Sequence, residues 1–160
     1  IGVELLKQLP NLDSVFISVG GGGLVSGIAS YLKYYKPDVK VIGCWPENSP
    51  VMSECIKAGR IFNVPEKNTI SDGTAGGIEP GTITLPICQN LIDEHILVSE
   101  EAIKKSMKII ASYERMIIEG AAAVALAAFI KNAAHFKNQN IAVLLCGRNI
   151  SLDKFIEAMQ

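Results

Sequence analysis

Apolar residues along this chain fall into two alternating patterns. Short unbroken apolar runs at residues 14–19, 39–44, 95–98 and 141–145 have the length and β-branched content of buried strands. Between them, longer stretches repeat their apolar positions at helical spacing. Residues 24–35 form one such stretch and stop before Pro37. Another runs through Ile56 and ends near Gly59, with Ser49 as the expected cap and Pro50 at the first helical position. Residues 83–91 form a third, with Pro86 in its early turns. Ser99, Glu100 and Glu101 open a fourth, through about Tyr113, where early acidic side chains suit the macrodipole. Glu119 and Gly120 open an alanine-rich helix through Asn132 that reads as buried, and Ser151 caps a terminal helix. Residues 1–9 also carry helical spacing, with Val3, Leu6 and Leu9 on one side. That stretch begins without Met or a capping residue, so it reads as a cut end of something longer. Residues 60–81 fit neither pattern, and loops of that length usually serve function. Strands separated by helices predict an α/β fold with a largely parallel sheet and flanking helices.

The first strand runs into Gly20, Gly21, Gly22 and Gly23, and the helix follows at Leu24. Strand, glycines and helix in that order leave backbone N–H groups unpaired at a helix N-terminus, which favours an anion. Glycine admits left-handed backbone and lets a phosphate approach with no Cβ in the way. The plainer reading is a tight strand-to-helix turn, for which two glycines would suffice. No Lys-Ser/Thr pair follows, so this is not the nucleoside-triphosphate loop, and Val25 stands at the third glycine of the dinucleotide fingerprint. A cofactor monophosphate fits better than a triphosphate. In open α/β sheets ligands sit beyond the carboxyl ends of the strands. The last strand ends there in Cys146, Gly147, Arg148 and Asn149, so two glycine-marked turns face one crevice.

Composition narrows the class. The 160 residues suffice for one domain with a real core, are 49% hydrophobic, and carry a net charge of −1, which argues against a nucleic-acid surface. The apolar stretch at 120–130 is too short to span a bilayer. The four cysteines, Cys44, Cys55, Cys88 and Cys146, have no zinc spacing and sit in apolar contexts, which suits a reduced cytoplasmic compartment.

Taken together, residues 19–27, Pro46-Glu47-Asn48-Ser49, Ser71-Asp72-Gly73-Thr74, Glu119-Gly120-Ala121-Ala122 and 146–150 resemble, in order and spacing, the C-terminal part of a fold-type II pyridoxal-phosphate enzyme. The group resembled is that of the threonine and serine dehydratases and serine racemase. The resemblance implies a pyridoxal phosphate cofactor, with its phosphate cradled by Gly20, Gly21, Gly22, Gly23 and the Leu24 amide. It places Gly73 and Glu119 beside the ring and Cys146 opposite the pyridine nitrogen. The plain alternatives are a helix-opening carboxylate for Glu119 and a small buried thiol for Cys146. The implied activity is an ammonia-lyase converting L-threonine or L-serine to a 2-oxo acid. A racemase of the same group and a non-catalytic domain with a binding or assembly role are the alternatives. A homo-oligomer and an amino-acid substrate are implied as partners.

Departures from the family pattern are informative. The Ser-x-Lys-x-Arg segment with the Schiff-base lysine, and the small domain, are not within these residues, so residues 1–160 read as a partial large domain that is inactive alone. No catalytic residue is therefore named here. Trp45 and Val51 stand where family members with a divalent cation carry acids, so no metal is expected. Arg148 replaces a usual second glycine. Lys7, Lys33, Lys36 and Lys40 read as solvated charges, His95 and His135 as surface or helix-end residues, and Asp72 as a loop-closing side chain.

Overall fold

The computed structural model describes residues 1–160. Its elements are α1 (Gly2–Gln8), β1 (Ser14–Ser18), α2 (Gly23–Tyr35), β2 (Lys40–Pro46), α3 (Val51–Ala58), α4 (Thr84–Leu91), β3 (Glu94–Val98), α5 (Glu100–Ile109), α6 (Gly120–Asn132), β4 (Ile141–Val143) and α7 (Leu152–Met159). The four strands form one parallel sheet in the order β3-β2-β1-β4. Ser14 stands opposite both Lys40 and Ile141, so the strands start level and their carboxyl ends open on one side.

Alternation along β1 sends side chains to opposite faces. Val15 and Ile17 enter a core built with α2, α3 and α4, where Leu32, Met52 and Cys88 are buried. Phe16 enters a second core with α5 and α6, edge-on to Phe129 and Phe136 at 5.5 and 5.0 Å between ring centroids. Alanine suits α6 because the helix is enclosed almost all round. Ala121, Ala122, Ala123, Ala125, Ala127 and Ala128 are all buried, and small side chains let it lie close to both the sheet and α5. No helix is long and apolar enough to cross a membrane.

The structure corrects several expectations. The last strand spans three residues and is half-exposed, because it is the sheet edge; Leu144 still donates its N–H to Phe16 O at 3.1 Å. Ser49 does not cap α3. Its hydroxyl goes to the Glu66 carboxylate, Pro50 takes the cap position and the helix starts at Val51. The helix expected through Tyr113 ends at Ile109 and relaxes into a π turn, Ile110–Glu114, closed by left-handed Arg115 at φ 57°. Ser99 and Ser151 do cap, accepting the N–H of Ala102 and Lys154 at 3.3 and 3.4 Å. Lys33 and Lys40 pair with Asp93 and Glu94 at 2.7 and 3.0 Å. His95 is part-buried in β3, stacked on Trp45 with its Nδ1 3.0 Å from Ser53 Oγ. Asp72 does not close its own loop but pairs with Lys154 at 2.7 Å.

Candidate functional site

Backbone geometry builds the site first. Val19 N–H still belongs to the sheet, donating to Cys44 O at 3.0 Å. The ladder of α2 begins only with Ser26 N–H on Gly22 O, at 2.9 Å. Between them, none of the N–H groups of residues 20–25 has an acceptor within the protein. They sit at the positive end of the α2 dipole, and no acidic side chain in its first turn offsets that charge.

Two of the four loop glycines have a steric reason within the protein. Gly22 lies at φ +84°, in the left-handed region. A Cβ on it would meet Cys88 Sγ at 2.8 Å and Met52 Cε at 3.0 Å. A Cβ on Gly20 would lie 3.1 Å from Thr74 Cα, so the Asp72–Thr74 turn can close over the loop. Gly21 and Gly23 have nothing within 4 Å of that position.

A cavity of about 390 Å³ opens on this loop. Gly20, Gly21, Gly22, Gly23, Leu24, Gly73, Glu119 and Cys146, every position named from the sequence, line it together. Ser18, Val19, Val25, Thr74 and Ala121 complete the lining, and none of the lining residues is a lysine. Val19, Val25, Thr74 and Ala121 lie within the motifs quoted from the sequence but were given no role, and Ser18 was outside them. Three are direct neighbours of named positions, whereas Ser18 lies beneath the loop and offers its Oγ to the N–H of Ala125 in α6 at 3.1 Å.

Glu119 ties three loops at the cavity wall. Its backbone N–H donates to Gly147 O at 3.2 Å, and its carboxylate accepts the Asn149 N–H at 2.9 Å. The carboxylate lies so close over Gly147 that a Cβ there would overlap it, and Oε1 is 3.4 Å from the Cβ position of Gly73. Gly120 is needed for a similar reason, since a side chain on it would strike the Ile70 carbonyl.

Cys146 was expected in apolar surroundings, but it is the exposed member of the four cysteines and opens to the cavity. Desolvation by the surrounding wall still pushes its thiol above the ordinary range, and the Glu119 carboxylate adds to the rise. The group is therefore a neutral thiol near pH 7. Arg148 is exposed and makes neither a hydrogen bond nor an ion pair. Trp45 is buried in the first core, Val51 opens α3, and no three His, Cys, Asp or Glu side chains come close enough to hold a metal ion.

The residues fit a monophosphate cofactor of modest size. A row of donors without acceptors lies along the cavity, and glycine at Gly20 and Gly22 lets the Asp72–Thr74 turn and α4 pack against the loop from behind. A neutral thiol and a carboxylate line the same cavity.

Comparison with known proteins follows the same line. The sequence profile of the family described as pyridoxal-phosphate dependent enzyme matches residues 1–147. The L-threonine ammonia-lyase of Thermotoga maritima is 36% identical over 153 residues, covering 96% of this chain and 38% of that protein. The serine racemase of Oryza sativa subsp. indica is 29% identical over 164 residues, covering 99% of this chain and 48% of that protein. The processed form of threonine deaminase isoform 2 from Solanum lycopersicum superposes with a TM-score of 0.91 at 34% identity, over 99% of this chain and 46% of that one. The chain thus spans less than half the length of these relatives.

Proposed function

This chain belongs to the pyridoxal-phosphate dependent enzyme family, and on that premise we propose that it forms the phosphate-holding part of an ammonia-lyase. The lyase converts L-threonine or L-serine to a 2-oxo acid and ammonia. One observation carries the reading: the unpaired amides of residues 20–24 share a cavity with Gly73, Glu119 and Cys146. In this reading residues 1–160 are part of the large, cofactor-binding domain, and the lysine segment and small domain come from outside this sequence.

Gly20, Gly21, Gly22, Gly23 and Leu24 hold the cofactor phosphate through charge-assisted hydrogen bonds, each about 1.5–3 kcal/mol before binding entropy is subtracted. Gly73 admits the ring by presenting no side chain, and Glu119 keeps the Gly73, Gly147 and Asn149 backbones in register around it. When bound, pyridoxal phosphate supplies an electron sink at the substrate's α-carbon. Cys146, kept neutral by its surroundings, offers the pyridine nitrogen no negative charge to hold it protonated. A weaker sink of that kind suits elimination of a β-hydroxyl.

Racemisation is the second reading, favoured by the serine racemase of Oryza sativa among the relatives. Four free cysteines suit a reducing cytoplasm, and exposed Met116, Ile117, Leu152 and Ile156 suit self-association of the parent.

The test has two stages. Pyridoxal phosphate is added to the isotope-labelled chain, and shifts at the amides of residues 20–24, reversed by excess inorganic phosphate, are expected. Unmoved amides would refute the site. With a Ser-x-Lys-x-Arg segment joined upstream, L-threonine and L-serine are supplied and both 2-oxo acid and D-serine are measured. D-serine without 2-oxo acid overturns the lyase in favour of the racemase.

A further inference from the structure

The orientation of the glycine loop is set from outside it. Thr84, the first residue of α4, donates its hydroxyl to the Gly21 carbonyl at 2.7 Å, across 63 positions of sequence. Its Oγ1 also lies 2.9 Å from Thr82 Oγ1. Thr84 has one hydroxyl proton and spends it on Gly21, so Thr82 is the donor in that pair, and such chains strengthen each member. One turn along α4, Cys88 Sγ stands 3.9 Å from the Gly22 carbonyl, which Ser26 N–H also engages at 2.9 Å.

Every peptide bond in the chain is trans. In a planar trans peptide the N–H points opposite to its C=O. Holding the Gly21 carbonyl towards α4 therefore turns the Gly22 N–H the other way. The bonds on the Gly22 carbonyl do the same for the Gly23 N–H. Both N–H groups lack an acceptor in the protein, and both residues line the cavity, which Thr84 does not. Thr84 also hems Gly22 in, since its Cβ is 3.0 Å from where a Gly22 Cβ would be.

We propose that Thr84 is a positioning residue for the anion-binding loop: its hydroxyl fixes the Gly21–Gly22 peptide plane and so presents the Gly22 amide to the cofactor phosphate. The proposal rests on the reading of this cavity as a phosphate site. A peptide flanked by two glycines meets little resistance to rotation. Without the hydroxyl, the plane samples orientations in which the amide no longer faces the cavity.

The experiment compares wild type with Thr84→Val, which removes the hydroxyl at similar shape, and Thr84→Ser, which restores it. In the ligand-free, labelled chain, the Gly21 carbonyl-carbon and Gly22 amide signals should move in Thr84→Val and return towards wild type in Thr84→Ser. Titration with inorganic phosphate should then show affinity falling about 3- to 10-fold in Thr84→Val and staying within about twofold in Thr84→Ser. Thermal midpoints recorded alongside show that both variants are folded at the titration temperature. Equal loss in both variants reveals a packing role and overturns the proposal, as does wild-type affinity in Thr84→Val. Normal phosphate binding with an unmoved Gly21 carbonyl overturns the Thr84 role alone. If phosphate moves no amide of residues 20–24 even in wild type, the cofactor reading fails and takes the role with it.

Discussion

One added methyl group, placed on each glycine in turn, separates folding from binding in the loop. At Gly22 an alanine must adopt φ +84°, which costs roughly 1–2 kcal/mol for an L side chain. Its Cβ would also meet Cys88 Sγ at 2.8 Å, and Met52 Cε and Thr84 Cβ at 3.0 Å. The methionine end can swing aside. Cys88 is buried in α4 and can retreat only with its helix, so overpacking adds roughly 1–3 kcal/mol. The lower entropy of the unfolded alanine chain returns about 0.4–1 kcal/mol. Gly22→Ala should thus destabilise by about 1–4.5 kcal/mol, or roughly 2–18 °C for a chain of this size. Gly21 has no positive φ and nothing within 4 Å of its Cβ position. Gly21→Ala should therefore stay within about 1 kcal/mol of wild type, yet weaken phosphate binding, because the methyl is added to a residue that lines the cavity. Trp45 is the single tryptophan and fully buried, so its fluorescence follows urea unfolding, while loop amide signals follow phosphate. An undiminished urea midpoint in Gly22→Ala, or equal destabilisation in both variants, would refute this division of labour.

Other outcomes follow from the same geometry. In a cofactor-loaded enzyme carrying this chain, Cys146→Ser should keep the cofactor absorbance, whereas Cys146→Asp should protonate the ring nitrogen and change the absorbance or the reaction course; an Asp variant silent in both sinks the assignment. Burial first, and Lys57 next, lower the His95 pKa below its ordinary value of 6.5. The unfolded chain therefore takes up the proton first, and this contribution to stability, complete above about pH 6.5, is lost as pH falls towards the lower folded value. Urea midpoints at pH 7.5 and 5.5 should differ less in His95→Gln than in wild type, and equal differences would rule His95 out. The 160-residue polypeptide alone, treated with pyridoxal phosphate and borohydride, should give no single stoichiometric lysine adduct and no 2-oxo acid above free cofactor, because no lysine lines the cavity; either product would contradict that.

Much of the fold was legible because burial on both faces leaves unbroken apolar runs, as at Val15-Phe16-Ile17, and the α/β order followed from those runs and the helically spaced stretches between them. Where a neighbour decides, the pattern misled. Residues 141–145 are as apolar as β1, but being an edge is a property of the sheet order, which the run itself does not encode. Ser49-Pro50 has the local chemistry of a helix start, yet the Ser49 hydroxyl finds Glu66, 17 residues on, in a loop that carries no periodicity to place it. His95 has strand neighbours on both sides in sequence, but its burial comes from Trp45 and Ser53, which belong to β2 and α3.

The candidate site divides along the same line. Most of the named positions converge because they follow the carboxyl end of a parallel strand or open a helix above it, and level strand starts put those ends together; Gly73 is brought in by the Asp72–Thr74 turn of the long loop. What aims the site was invisible. Four identical glycines carry no mark to say which ones face protein and which face the cavity. The structure sorts them by what stands behind each: Thr74 over Gly20, and Cys88 with Met52 over Gly22, with open space at Gly21 and Gly23. Val19, Gly20, Gly21 and Gly22 carry the chain from β1 to α2, and within the loop the Cβ positions of Gly20 and Gly22 meet protein while those of Gly21 and Gly23 do not. The core-side positions need glycine to let α4 and the Asp72–Thr74 turn close on the loop. The crevice-side positions need it only if something must come near the amides. A tight turn alone therefore accounts for Gly20 and Gly22, whereas Gly21 and Gly23, with nothing of the protein against them, are the positions to which the proposed phosphate gives a reason for glycine.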